Sequence, residues 1–381
     1  MVKSRLFVSV ALAVALVVGF ALTGCAQPAK KLTYEEYVAS LGPGEYPVPE
    51  DCFNQALEEG ELHFYNWEGW WPEEIFEEFS DFFGIKVIVD GYADTDEMVA
   101  KFRLNPETPY DLVCGNARTQ VWLMAINVTQ ELNHDWIPNV NHYLSDLAKD
   151  LWVDPDYQHQ VSWDLYSCCY GYNSDYVSDN RTPSWAVLLE PREEYSGRVT
   201  MVTSVVEVIG AALKYLGYSY NSVNQTELDE ARDLLLAQKE HVMAYDSWPL
   251  TSVLEEDTWL LQMWFGDLYY FHREKPSIVA AYPTEGGSLG ADNLFIPVGS
   301  QNPAAAHLFL NELFRPETMA TLINWVGFFP THTGIDDLLD ADLKAWFPDE
   351  EYLEKCEWIT EQAFDGEGLE MRIEIWEELV G

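Results

Sequence analysis

The sequence predicts an α/β protein with two lobes and a ligand cleft between them. Apolar strands and amphipathic helices alternate from about residue 61, and the same alternation starts again near residue 197. The 381-residue chain is 48% hydrophobic, too apolar for a disordered protein, and no obvious linker separates the two units. Because ligands of open α/β sheets lie beyond the carboxyl ends of the strands, we expect the cleft there.

The first α/β unit has the order β-α-β-α-β. The segment ELHFYNW reads as a strand, and PEEIFEEFSDFF reads as a helix with an apolar stripe that contains Phe79 and Phe82 and ends at Gly84. IKVIVDGY is the next strand, TDEMVAKFRL the next helix and YDLVCG the third strand. Short connections in this order predict a parallel sheet covered by helices.

The second unit repeats this pattern. GRVTMVTS reads as a strand, VVEVIGAALKYLG as a helix closed by Gly217, and TELDEARDLLLAQKEH as an amphipathic helix. VMAYD and SIVAAYP are further strands, and two helices separated at Pro316 follow. We expect DEEYLEKCEWITEQAF to form the terminal helix.

The amino terminus has the layout of a lipoprotein signal peptide over residues 1–24. A basic start and an apolar run precede Leu22-Thr23-Gly24-Cys25, which resembles a bacterial lipobox, and Cys25 is then the lipidated residue. A signal anchor that merely contains a cysteine is the alternative, but the run is short for a membrane-spanning helix. We therefore expect an extracytoplasmic protein anchored to the membrane by lipid, with residues 25–58 as a tether.

The formal net charge of −43 disfavours nucleic acids and anionic membrane surfaces as partners. Such a field could steer a cationic ligand inward, although an acidic surface adapted to salt is the alternative interpretation. No CxxC pair or histidine cluster has zinc spacing, so we expect no metal and no cofactor. Five cysteines follow Cys25, and Cys52 with Cys356 could join the two ends of the chain.

Candidate ligand-binding residues follow the predicted strands. Trp67, Glu68 and Trp70 come after the first strand, and Asn116 and Arg118 come after YDLVC. Each also has a purely structural interpretation, because tryptophans often belong to a core or its rim. Only the convergence of these side chains on one crevice favours a ligand-binding role over a structural one.

In the second unit, Ser204 and Glu207 begin a helix. An acid in the first helical turn is often only a favourable partner of the helix dipole, which is the structural alternative for Glu207.

From about residue 60 to residue 360 the chain resembles the bacterial spermidine/putrescine-binding proteins, the solute-capturing subunits of polyamine ABC importers. The similar stretches are LHFYNWEGW, GIKVIVDGYADTDEMVAKF, YDLVCGN, GRVTMVTSVVEVIGAALKYLGYS, YPTEGGSLGADNLFIPVGSQNPAAAHLFLNELFRPE and VGFFPTH. The resemblance implies a type II periplasmic-binding-protein fold, a monomer that closes around its ligand and delivers it to permease subunits. The implied lobes are 59–168 plus 291–336, and 169–290 plus 337–381.

The resemblance also implies ligand-binding positions. By correspondence with the family they are Trp67, Trp70 in place of a tyrosine, Glu207, Trp264, Asp292 and Phe328, with Phe329 as a competitor for the last position. Carboxylates suit ammonium groups, and aromatic faces suit a methylene chain.

The chain departs from the family pattern at several of these positions. Ser204 aligns with an aspartate, Asn116 and Arg118 with a serine and a tyrosine, and Gly290 with a tryptophan. An aromatic-plus-threonine element near the crossover has become Asp164, Leu165, Tyr166 and Cys168.

The predicted function is capture of putrescine, spermidine or a related amine for an ABC permease. An arginine in the pocket would repel an ammonium, so the alternative is a zwitterionic or carboxylate-bearing amine whose anion pairs with Arg118. A glycosidase that uses Glu68 with Glu73 or Asp292 is the enzymatic alternative. No HExxH motif or phosphate loop is present, and we expect no enzyme.

Overall fold

The computed structural model describes residues 32–93 and 95–381, so the predicted signal peptide and Cys25 lie outside the described residues. The strands of the described chain form two sheets. In chain order they are β1 (Glu61–Trp67), β2 (Lys86–Tyr92), β3 (Leu112–Asn116), β4 (Val161–Tyr166), β5 (Cys168–Asn173), β6 (Val199–Met201), β7 (Val242–Tyr245), β8 (Leu260–Trp264), β9 (Ile278–Ala281), β10 (Ser288–Phe295), β11 (Phe329–Pro330) and β12 (Glu357–Trp358).

Helices cover both sheets. They are α1 (Tyr34–Ser40), α2 (Glu50–Glu59), α3 (Glu73–Phe83), α4 (Thr95–Leu104), α5 (Ala117–Ala125), α6 (Pro138–Tyr143), α7 (Asp146–Lys149), α8 (Ala186–Leu189), α9 (Val205–Tyr215), α10 (Gln225–Lys239), α11 (Leu250–Leu254), α12 (Phe265–Glu274), α13 (Pro303–Leu313), α14 (Pro316–Val326), α15 (Ala341–Trp346), α16 (Glu350–Leu353), α17 (Glu361–Phe364) and α18 (Gly366–Val380).

The first sheet has the order β11-β4-β10-β3-β1-β2, and β12 pairs with the start of β10. Strands β2, β1 and β3 are parallel, whereas β10 runs antiparallel to both β3 and β4. The second sheet has the order β7-β6-β8-β5-β9, with β7, β6 and β8 parallel and β5 antiparallel to β8 and β9. The two predicted α/β units are therefore present, one in each sheet.

The chain passes between the sheets at two adjacent places, from β4 to β5 and from β9 to β10. A Cβ at Gly287 would lie 2.3 Å from the carbonyl oxygen of Cys168, so this close approach of the two backbones requires glycine. The Cys168 amide donates to Ser288 Oγ at 3.1 Å and joins the two crossings. The sheets fit a division into two lobes, and the exact residue boundaries stay a prediction.

Most predicted helices are present, and their buried faces follow the predicted period. In α3, Ile75, Phe79 and Phe83 are buried, and Gly84 ends the helix with φ 69°. Phe82, placed in the stripe by the sequence, is 38% exposed instead, so that part of the prediction is wrong. Helices α13 and α14 begin at Pro303 and Pro316, which confirms the predicted break.

The prediction of a tether over residues 25–58 needs correction for its described part. Helices α1 and α2 pack on α13, and Tyr37, Cys52 and Phe53 are fully buried. The Tyr37 hydroxyl donates to Glu312 Oε1 at 2.6 Å. This segment has enough apolar surface to pack against the first lobe, although prolines and glycines interrupt it in the sequence.

One further prediction is wrong, and the possible Cys52–Cys356 disulfide is absent. The segment predicted as one terminal helix forms α16, the short strand β12 and α17, because Glu357 and Trp358 pair with the start of β10. The Cys52–Cys356 pairing does not form, since Cys52 lies against the Ala304 carbonyl in the first lobe and Cys356 lies beside Gly287 at the crossover.

Candidate functional site

Glu207 is the third residue of α9, and its carboxylate is almost completely buried, at 2% exposure. It accepts hydrogen bonds from Tyr220 Oη at 2.5 Å, Ser288 Oγ at 3.1 Å and Trp264 Nε1 at 3.2 Å. Burial raises the pKa of Glu207, and these hydrogen bonds oppose that shift. All three donors are neutral, so the negative charge is oriented but not compensated by them.

A second acidic centre lies on the first sheet, where Asp292 of β10 is directly opposite Asp164 of β4. The Asp292 amide donates to Asp164 Oδ1 at 3.1 Å, and the two residues are 7% and 0% exposed. Burial raises the pKa of Asp292 to about 7. Burial also raises the pKa of Asp164 well above its usual value, and the charge of Asp292 adds to that shift.

Asp267, in the first turn of α12, extends this acidic centre from the second lobe. Burial, followed by the charge of Asp292, raises the pKa of Asp267 to about 7. Among residues 32–93 and 95–381, no Lys, Arg or His side chain forms an ion pair with Glu207, Asp164, Asp267 or Asp292. The site therefore concentrates negative charge away from solvent, and such charge needs either protons or a cation.

Tyr166 lies between the two acidic centres. It is two residues after Asp164 on β4, and its ring covers Gly290, where an added Cβ would lie 2.1 Å from Tyr166 Cζ. Burial raises the pKa of Tyr166 well above its usual value, and the charges of Asp292 and Glu207 raise it further. The ring thus occupies space that a side chain at position 290 would otherwise fill.

Aromatic rings of the first lobe form one wall of the candidate site. The Trp70 ring lies 5.2 Å from Trp163 and 5.9 Å from Phe328, between ring centroids. Phe328 packs on Gly266 of α12, where an added Cβ would lie 2.7 Å from its ring. Phe328 is therefore the aromatic that shares the Trp70 wall.

The competing Phe329 instead contacts Phe265 and Phe347, at 5.0 and 4.5 Å between ring centroids. Trp67, at the end of β1, packs against Tyr92 at 4.5 Å.

Four predicted site residues have other partners or lie at the surface. Asn116 caps α5 by accepting from the Thr119 amide, and Ser204 caps α9 by accepting from the Glu207 amide. Arg118 Nη2 donates to Asp96 Oδ1 at 2.8 Å, and its guanidinium lies 4.2 Å from the Trp122 ring centroid. Glu68 is exposed.

The structure adds site residues that the sequence analysis did not assign, namely Asp164, Tyr166, Tyr220, Asp267 and Ser288. Asp164 has a signal in the sequence, since it is an acid inside the apolar strand VSWDLY. Asp267 looks like an ordinary first-turn helix acid. Tyr220 and Ser288 reach Glu207 through tertiary contacts that have no local signature.

An open groove of about 650 Å³ on another surface contains none of the ten predicted site residues. It lies between α3 and helices α13 and α14, and several glutamates line it. Within the described ranges, no group of three or more His, Cys, Asp or Glu side chains is arranged to hold a metal ion. No described helix has both the length and the apolar character needed to cross a bilayer.

Comparison with known proteins supports the resemblance. The family model for bacterial extracellular solute-binding proteins matches residues 74–349. The spermidine/putrescine-binding periplasmic protein of Escherichia coli K12 is 27% identical over 301 residues, which are 78% of this chain and 86% of that protein. These relatives are solute-binding proteins rather than enzymes.

Solved structures show the same two-lobe fold. A putative spermidine/putrescine ABC transporter protein from Listeria monocytogenes has a TM-score of 0.75 at 23% identity, covering 84% of this chain and 98% of that one. The Tp0655 lipoprotein of Treponema pallidum has a TM-score of 0.74 at 22% identity, covering 84% and 99%. The predicted fold class is confirmed, and the chain belongs to the family of bacterial extracellular solute-binding proteins.

Proposed function

We propose that this protein captures putrescine, spermidine or a related amine outside the cytoplasm and delivers it to an ABC permease. The observation that carries the proposal is the burial of Glu207 and Asp292, at 2% and 7% exposure, without a cationic partner among the described residues. The proposal is consistent with the relatives, because the Escherichia coli protein is named for spermidine and putrescine.

A cationic ligand offsets the free-energy cost of burying these carboxylates. Removing a carboxylate from water is costly unless it is paired, and an ammonium group donates charge-assisted hydrogen bonds that are stronger than neutral ones. The Trp70 and Trp264 rings offer faces for the methylene chain and for cation–π attraction, worth roughly 0.5–2 kcal/mol each.

The positions of the acids link binding to lobe closure. Glu207 lies on α9 of the second lobe, and Asp292 lies on β10 of the first sheet. An amine with two charged ends that contacts both acids binds the closed arrangement better than an open one, and therefore shifts the population toward closure.

The zwitterion alternative is less favoured by the position of Arg118. That cargo needs a cationic side chain to receive its carboxylate, but Arg118 is already bound to Asp96 at 2.8 Å. A carboxylate-bearing ligand would have to displace Asp96 from the guanidinium.

Anchoring belongs to the same proposal. We infer that Cys25 carries the lipid and that residues 1–24 are removed, on the basis of the Leu22-Thr23-Gly24-Cys25 motif. One structural relative, from Treponema pallidum, is itself named a lipoprotein. The anchored protein acts as a monomer that presents its closed form to the permease.

The test is calorimetric titration of residues 26–381, stripped of bound ligand by partial unfolding, with putrescine, spermidine, γ-aminobutyrate and glutamate. We expect saturable binding of at least one polyamine, and a loss of at least 100-fold in Glu207→Gln. The matched control is Glu58→Gln, which removes the same charge from an exposed position on α2. A response to an amino acid with none to either polyamine would replace the proposal by the zwitterion alternative.

A further inference from the structure

We propose that Asp164 is a ligand-binding residue which, together with Asp292, holds one ammonium group of the amine between two carboxylates. This inference rests on the proposed function and adds a specific residue to it. Asp164 was not among the predicted ligand-binding residues, and it is the most deeply buried acid of the site, at 0% exposure.

The strand register brings the two carboxylates side by side. Asp292 and Asp164 are directly opposite on antiparallel strands, and side chains in that relation project to the same face of the sheet. The register shifts immediately after Asp292, where β10 meets β4. Irregularities of this kind redirect side chains and occur preferentially beside binding sites.

One oxygen of Asp164 is still without a partner. Its Oδ1 accepts from the Asp292 amide, but Oδ2 is buried and has no hydrogen-bond partner within the described residues. A buried acceptor without a donor is unfavourable, and it is the kind of group that a bound ligand satisfies. This oxygen is a second observation, separate from the clustering of acids, that indicates a donor-bearing ligand.

The groups around the pair add no positive charge. Asp267 faces it from α12, Tyr92 from β2, the Cys114 thiol from β3 and Tyr166 from β4. Like charges directly opposite each other destabilise a sheet, so the pair needs either a shared proton or a cation. An ammonium carries three donors and can bind both carboxylates at once.

The experiment uses Asp164→Asn, which keeps the side-chain size and the oxygen that accepts from the Asp292 amide but removes the charge. Stripped wild-type and variant proteins are titrated with putrescine and with spermidine at pH 8. Titrations at pH 6.5 in two buffers of different ionisation enthalpy also give the number of protons released. Asp81→Asn, at an exposed position of α3, controls for the change in net charge.

We expect Asp164→Asn to bind the amines at least ten-fold more weakly than wild type and to release fewer protons, with an unchanged or higher melting temperature. Asp81→Asn should match wild type. If Asp164→Asn does not fold, Asp164→Ser provides the same neutral test. Affinity within two-fold of wild type, with Asp292→Asn strongly impaired, would overturn the inference and leave the proposed function standing. A wild-type protein that binds neither amine would overturn both.

Discussion

Trp264 donates its indole N–H to the carboxylate of Glu207 at 3.2 Å, which joins the end of β8 to the first turn of α9. The same carboxylate also accepts from Tyr220 and Ser288, so three neutral donors fix its position. Preorganised donors of this kind hold the acid ready for a ligand without neutralising it. The neutral donors therefore orient the Glu207 carboxylate, whereas its charge attracts the ligand.

The first prediction compares these two roles. Trp264→Phe keeps an aromatic ring but removes the donor, which we expect to weaken amine binding roughly three- to thirty-fold, or about 0.6–2 kcal/mol. Glu207→Gln removes the charge and should weaken it more. Calorimetric titration measures both, and equal losses in the two variants would contradict the assignment of separate roles.

The second prediction concerns the contact between Gly290 and Tyr166. Gly290→Ala introduces a Cβ 2.1 Å from the Tyr166 ring, and we expect the free energy of unfolding to fall by about 1–3 kcal/mol. In a Tyr166→Leu background the same substitution should cost less, because the smaller side chain leaves room. Denaturant unfolding of the four proteins gives the coupling energy, and additive effects would show that the contact is unimportant.

The third prediction concerns the stability of the ligand-free protein. The pKa of Asp292 is about 7 in the folded state and 3.8 in its ordinary state, so the folded protein retains a proton that the unfolded chain loses between these values. The contribution of this group to stability is therefore full below about pH 4 and falls as pH rises to 7. At pH 8, Asp292→Asn should be more stable than wild type by about 1–4 kcal/mol.

At pH 4 that difference should be much smaller, because the wild-type carboxyl is protonated there as well. Thermal or urea unfolding at the two pH values makes the comparison. A variant that is less stable than wild type at pH 8 would mean that Asp292 is already paired with a cation in the empty protein.

The fourth prediction concerns Arg118, which Asp96 and the Trp122 ring hold in place. We expect Arg118→Ala to change the affinity for putrescine or spermidine by less than about three-fold, because the guanidinium is engaged by protein groups. Binding of γ-aminobutyrate that disappears in this variant would instead support the zwitterion alternative.

The sequence predicts the fold well because its signals are local. The apolar stripe of α3, the stop at Gly84 and the break at Pro316 depend on residues within one or two turns, and each is confirmed except for Phe82 in the stripe. Segments decided by distant partners are predicted poorly. Strand β12 forms only because β10 lies beside it, and the residues that pair are 69 positions apart in the sequence. Helices α1 and α2 are ordered by packing on α13.

The same distinction applies to the site. Trp70, Glu207, Trp264, Asp292 and Phe328 could be named in advance because they match positions of a family pattern. Asp164 and Tyr166 could not, because their roles depend on the register between β4 and β10 and on the missing side chain of Gly290. Arg118 looked like a pocket cation in the sequence, and only the tertiary structure supplies its partner, Asp96.

The measurement that tests the central claim most directly is the affinity of stripped wild-type protein for spermidine at pH 5.5 and at pH 8. The terminal ammonium groups, like that of lysine, stay charged over this range, whereas carboxyls with pKa values of about 7, such as that of Asp292, must ionise to bind them. Binding roughly 10- to 30-fold tighter at pH 8 is the predicted result. The same affinity at both pH values, or no binding at either, would contradict the claim that these buried acids receive the amine.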